Sequence, residues 1–101
     1  MNKAPIQVYW SPSAKKSYRL AWRYIARDSR KIANKVFDEV DDEDDALISN
    51  PMRYPADSNR KNNDGDFRAF EIHEFRIAYR IAEDHILVVR FRHVKQKPRR
   101  Y

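Results

Sequence analysis

Four residues near the end of the chain have the chemistry to hold and cleave a phosphodiester: Arg68, Arg76, His93 and Tyr101. Metal-free phosphoryl chemistry needs groups that hold the phosphate and offset its developing charge, and groups that move protons. Arg68, Arg76 and the nearby Arg80 can do the first. His93 titrates near neutrality when unperturbed and can do the second. Tyr101 can stack on a base or donate a hydrogen bond. The other two histidines, His73 and His85, fall at chain reversals and carry no such role.

Other chemistries are excluded by residue type. The chain has no cysteine, so disulfides, Cys-based zinc sites and thiol catalysis are absent. It has one glycine, so a Gly-rich phosphate cradle cannot form. Asp38, Glu39, Asp41, Asp42, Glu43, Asp44 and Asp45 place seven of the 15 acids within eight positions. Successive carboxylates on a helix point around its axis rather than converging, so this is read as a solvated acidic face and not a metal site. No metal or other cofactor is expected.

The elements that position the candidate residues follow from periodicity. Phe67–Ile72, Phe75–Ala82 and Ile86–His93 alternate as three strands. In the second, Phe75, Ile77, Tyr79 and Ile81 share one face, opposite Arg76, Ala78, Arg80 and Ala82. In the third, Leu87, Val89 and Phe91 alternate with Ile86, Val88, Arg90 and Arg92. The reversals His73-Glu74 and Glu83-Asp84 lack Asn-Gly chemistry, so longer loops or bulges are expected there.

Upstream, Ile6–Trp10 predicts a short strand that ends at Ser11-Pro12-Ser13, a helix start. Ala14, Tyr18, Ala21, Trp22 and Ile25 mark one face of a helix over 13–27. Asp28-Ser29 makes a tight joint, and a second helix follows over 30–48. Its apolar stripe, Ala33, Val36, Phe37, Val40 and Leu47, is broken by Asp44, which predicts loose last turns. Trp10 and Trp22 read as core. Asn50-Pro51 stops the helix, and 52–66 is a polar surface loop long enough to be functional or mobile. The order is β-α-α-β-β-β. The first strand must pair beside a later one while the helical hairpin covers one sheet face, an α+β domain over 1–101.

Charge narrows the partners. The net charge is +6, and 36% of residues are charged. Arg90, Arg92, Lys95, Lys97, Arg99 and Arg100 form an acid-free basic end, and with Arg80 they predict a patch for nucleic acid or an acidic protein. No apolar run approaches the ~20 residues of a membrane span, and no signal peptide is visible, so a cytoplasmic protein is expected.

The chain resembles the RelE/ParE superfamily of bacterial toxins from type II toxin–antitoxin modules. The resemblance runs from Ser11-Pro-Ser-Ala14 through Leu47-Ile-Ser-Asn-Pro-Met-Arg-Tyr-Pro55 to Asn63–Glu71, Phe75-Arg-Ile-Ala-Tyr-Arg-Ile81 and Ile86–His93. It implies a small, mainly antiparallel sheet packed on an N-terminal helical hairpin. It also implies an acidic antitoxin partner and allows a homodimer. The expected activity is the first of the two it offers, a metal-independent, ribosome-dependent mRNA endoribonuclease, with gyrase inhibition as the alternative. RelE-like members cut mRNA on the ribosome with the RNA 2′-hydroxyl as nucleophile; there Arg76 would contact the phosphate, and His93 and Tyr101 would match catalytic positions. ParE-like members inhibit DNA gyrase without catalysis, through the hairpin and basic tail. A relative that binds only its antitoxin is the third case.

Overall fold

A computed structural model describes residues 7–96 and 100–101. The elements are β1 (Gln7–Trp10), α1 (Pro12–Ala26), α2 (Arg30–Ser49), β2 (Phe67–Ile72), β3 (Phe75–Ile81) and β4 (His85–His93). They form a single four-stranded sheet in the order β1-β4-β3-β2. β1 runs parallel to β4, and the other neighbours are antiparallel. The α+β order read from the sequence therefore holds, and the first strand joins beside the last.

Each helix starts where a serine can accept from an unpaired backbone N–H. Ser11 Oγ accepts from the Ala14 amide and Ser29 Oγ from the Ile32 amide, both at 3.1 Å. The helices lie antiparallel, tied by Tyr18 donating to Asp41 and by the Trp22 indole donating to Asn34. Their apolar stripes meet the sheet over Phe37, Val40, Leu47, Phe70, Ile77, Tyr79, Ile86, Val88 and Phe91. Tyr18, Phe37, Phe75 and Phe91 make a run of ring contacts through this layer. Rings in such offset and edge-on contacts add to burial alone. Tyr79 is fully buried; its hydroxyl donates to the Pro51 carbonyl, and burial pushes its pKa up to about 12.

Three sequence expectations change. The His73-Glu74 reversal is a tight two-residue turn, not a longer loop, because Ile72 pairs directly with Phe75. Both turn residues adopt positive φ, 50° and 66°, which L side chains disfavour. The His73 ring, paired to Glu39 on α2, helps hold them there. Second, β4 does not alternate throughout. Ala78 pairs with Arg90 but Tyr79 pairs with Val88, so Val89 is an extra residue. One inserted residue exchanges the faces of a strand. Ile86 and Val88 are therefore buried before the bulge and Phe91 after it, whereas the sequence pattern placed Phe91 with Leu87 and Val89. Third, α2 stays helical to Ser49, and Asp44 is buried at 5% exposure instead of loosening the end.

Candidate functional site

The bulge decides which basic residues share a face. Beyond it, Arg90 and Arg92 lie beside Ala78 and Arg76, on the sheet face away from the helices. Phe91 and His93 lie on the helix-packed face, His93 opposite Phe75. Arg68 is opposite Tyr79 and so also belongs to the helix-packed face. The four candidate catalytic residues are thereby divided, with Arg76 and Tyr101 on the outer face and Arg68 and His93 on the inner.

On the outer face Arg76 is held by two carboxylates. Its guanidinium donates to Asp57 at 2.7 Å and to Glu71, its cross-strand neighbour, at 3.1 Å. The Asp57 side chain is 1% exposed and that of Arg76 17%. Tyr101 donates its phenol to the other Asp57 oxygen at 2.6 Å, and the Asn59 amide adds a third donor at 3.0 Å. Burial alone would raise the Asp57 pKa. The hydrogen bonds from Tyr101, Arg76 and the Asn59 amide outweigh it and hold the carboxyl below its usual range. Burial and the Asp57 contact push the Tyr101 phenol up, so it remains a donor.

The segment that carries Asp57 is built to place it. The Asp57 amide donates to the Phe67 carbonyl and the Ala69 amide to the Pro55 carbonyl, so 55–57 lines the free edge of β2. Asn63 closes the turn: its Oδ1 accepts from the Gly65 and Phe67 amides, and its Nδ2 donates to the Asp57 and Phe67 carbonyls. Gly65 takes φ 105°, a conformation open to glycine. Arg68 fastens the same segment from the other side, donating to the Gly65 carbonyl at 3.1 Å and to the Tyr54 carbonyl at 2.6 Å. The long polar loop is thus pinned, and Arg68 is one of its pins.

Tyr101 docks through backbone as well as side chain. Its amide donates to the Asn59 carbonyl, and the Lys61 amide donates to the Tyr101 carbonyl oxygen. Its ring lies edge-on to Phe67, with the Arg90 guanidinium 4.6 Å from its centroid and that of Arg60 5.2 Å away. Arg60 also covers Phe67 at 4.0 Å, and exposed Arg80 flanks it at 5.7 Å. Arg92 donates to the His93 and Gln96 carbonyls. Burial, with Arg76 and Arg90 close by, lowers its pKa. The outer face is therefore an arginine–aromatic surface with Asp57 and Glu71 set into it.

His93 sits in a different place. Its Nδ1 accepts from the Lys95 amide at 3.1 Å, and its Nε2 lies 3.6 Å from Glu74. It borders a cleft of about 720 Å³ beside α1, with Leu20, Tyr24 and Phe91 among the lining residues. Lys95 and Arg100 are exposed; Lys97 and Arg99 lie outside the described residues. Sequence reasoning missed Asp57, Arg60 and Phe67. Asn63-Asp-Gly-Asp66 announced a turn, but nothing in the spacing marked Asp57 as the partner of Arg76. Among the described residues, no group of three or more His, Asp or Glu is arranged to hold a metal, and no helix is long and apolar enough to cross a membrane.

The chain is thus an α+β domain with a helical hairpin over one sheet face and a basic, aromatic opposite face. The model of the ParE toxin family of type II toxin–antitoxin systems, parDE, matches residues 8–98, and the chain belongs to that family. It is the toxin component of such a module, and its partner is an antitoxin. Among solved structures, a chain of the chromosomal ParDE system from P. aeruginosa is 13% identical with a TM-score of 0.67, over 88% of this chain and 96% of that one. YoeB from Staphylococcus aureus, solved as a dimer, is 19% identical with a TM-score of 0.51, over 86% and 94%. At these identities the likeness concerns the fold. A search of curated proteins by sequence finds no significant match.

Proposed function

We propose that this toxin arrests growth by binding DNA gyrase, as ParE-like members do, and does not cut mRNA. The observation that carries this reading is the division of the four candidate residues between the two faces of the sheet. A nuclease of the RelE type needs its phosphate-binding arginine and its proton-transfer group around one scissile bond. Here Arg76 is neutralised by Asp57 and Glu71, and His93 lies across the sheet from it. The phenol of Tyr101 is engaged by Asp57. Arg68 is committed to backbone carbonyls. In this reading all four are structural.

The binding surface is the outer face, where Arg60, Arg80, Arg90 and Phe67 offer guanidiniums stacked on rings. Arginine and aromatic residues are the side chains that anchor interfaces. The antitoxin takes a separate place. Leu20 and Tyr24 are 52% and 70% exposed beside the cleft at His93. Lys95, set beside Glu74 at its rim, suits an antitoxin segment with apolar anchors and an acidic group.

The test is gyrase supercoiling with the purified toxin. Inhibition that is lost on adding the antitoxin, and weakened by charge reversal at Arg80, is expected. Full supercoiling at excess toxin would reject the gyrase target.

A further inference from the structure

The helical hairpin carries a second charged surface that the sheet does not use. Lys15, Arg19 and Arg23 make a row at i+4 spacing along α1, with Lys16 beside it. Asp38, Asp42 and Asp45 make a row along α2. Because the helices are antiparallel, the start of the basic row and the end of the acidic row lie at the same end of the hairpin. At that shared end both rows are set against their own helices, whereas Arg23 lies in the last turn of α1, where a base is favoured. α1 has no acid in its first turn and carries Lys15 and Lys16 directly after Pro12-Ser13-Ala14, near the end where backbone N–H groups favour negative charge. α2 has no base in its last turn and carries its acids toward the end where carbonyls favour positive charge.

Among the described residues no ion pair reaches Lys15, Lys16, Arg19, Arg23, Asp38, Asp42 or Asp45. Between the rows runs a groove of about 450 Å³, walled by Arg19 and Arg23 on one side and Asp38 on the other, with Trp22 and Phe37 among its lining residues. A smaller recess continues it past Lys15 and Asp41 to Trp10.

We infer that the hairpin is a self-association face, occupied by the hairpin of a second copy of this chain. Nucleic acid would match the basic row and be repelled by the acidic one. An acidic peptide would likewise leave Asp38, Asp42 and Asp45 facing like charge. A second copy brings both signs. With a two-fold axis parallel to the helices, α1 of one protomer lies over α2 of its partner with the same ends together, so both basic rows meet acidic rows. A two-fold axis across the helices would put like on like. An isologous contact needs this self-complementarity, and the hairpin has it. The outer sheet face and the His93 cleft stay open in such a dimer.

Sedimentation equilibrium of the purified chain tests this independently of toxicity. A dimer is expected at about 50 mM salt, with its dissociation constant raised at least ~10-fold near 500 mM, because exposed pairs are screened. Two triple variants, K15E/K16E/R19E and D38K/D42K/D45K, should each be monomeric, and an equimolar mixture should form a heterodimer. Circular dichroism checks that both fold. Should either fail to fold, the single exposed changes R19E and D42K replace them, and each is expected to weaken the dimer. A wild-type chain that is monomeric at low salt overturns the inference, as does a mixture that fails to associate. Loss of antitoxin binding on reversal of the basic row alone, with no change in self-association, would assign the groove to the antitoxin and overturn it as well.

Discussion

Asp57 determines what Arg76 is able to do. A buried carboxylate with one guanidinium, one phenol and one amide around it is fully paired, and removing one partner leaves a buried charge alone. We expect Asp57→Ala to destabilise the fold by about 3 kcal/mol, and Tyr101→Phe by about 1 kcal/mol, in urea unfolding. Asp57→Ala combined with Arg76→Ala should cost less than the sum of the two single changes; strict additivity would show that the pair is not coupled. The stabilisation is present above the ordinary carboxylate pKa and is lost as pH falls through the lowered folded value. Asp44 works in the opposite sense. Burial first, and then Asp41, Asp45 and Glu43 around it, raise its pKa from 3.8 to about 7, against the Trp10 side chain, which lowers it. One of its oxygens has no hydrogen-bond partner. Its protonated form favours the fold, so stability falls as pH rises from 3.8 to about 7 and is level above that. Asp44→Asn should flatten that part of the profile and raise Tm at pH 8; an unchanged profile would contradict this account of Asp44. At this scale the sequence exposed little. Arg76, His93 and Tyr101 were visible as chemistry, but a lone aspartate in a polar loop looks like any other until the chain folds it against an arginine.

At the scale of elements, periodicity carried most of the fold. Both helices and all four strands were legible, because each buries one face and each helix begins at a serine that can cap it. What was not legible came from single-residue insertions and turn geometry. Val89 carries no mark of a bulge, since every residue from Ile86 to Val89 is apolar and either phase looks buried. That one residue moves His93 to the helix side and leaves Arg90 and Arg92 with Arg76, so the site depended on something the pattern could not show. The tight turn at His73-Glu74 was missed for a similar reason: turn chemistry argued against it, and tertiary contacts impose it. His73→Asn with Glu74→Gly supplies residues that accept positive φ. The change should stabilise the protein by about 1 kcal/mol in thermal unfolding, net of the exposed His73–Glu39 contact. A loss of stability would mean that this contact outweighs the backbone strain.

Over the whole molecule the charges sort into three surfaces. The outer sheet face is arginine and aromatic, the cleft beside α1 is largely apolar with Glu74 and Lys95 at its rim, and the hairpin is positive along one helix and negative along the other. The net +6 charge suggested a single basic patch for one polyanion. Folding separates that charge, pairs the central arginine with Asp57 and Glu71, and leaves three distinct charged or apolar surfaces. A central arginine anchored by two carboxylates, with others held by backbone carbonyls or against rings, suits recognition of a protein better than in-line cleavage of RNA, which needs a free phosphate clamp. Arg80→Glu changes an exposed residue on the outer face and should leave the unfolding free energy within about 0.5 kcal/mol of wild type while reducing toxicity. Toxicity unaffected by Arg80→Glu would remove the outer face from the interface.

The most direct measurement follows brief induction of the toxin without its antitoxin, mapping transcript 5′ ends and chromosomal DNA breaks in the same cells, with a folded Arg76→Lys variant alongside. Binding to gyrase predicts DNA breaks, intact codons in translated mRNA, and a similar pattern for the variant. New 5′ ends inside translated codons that vanish with Arg76→Lys would contradict the account and return Arg76 to catalysis.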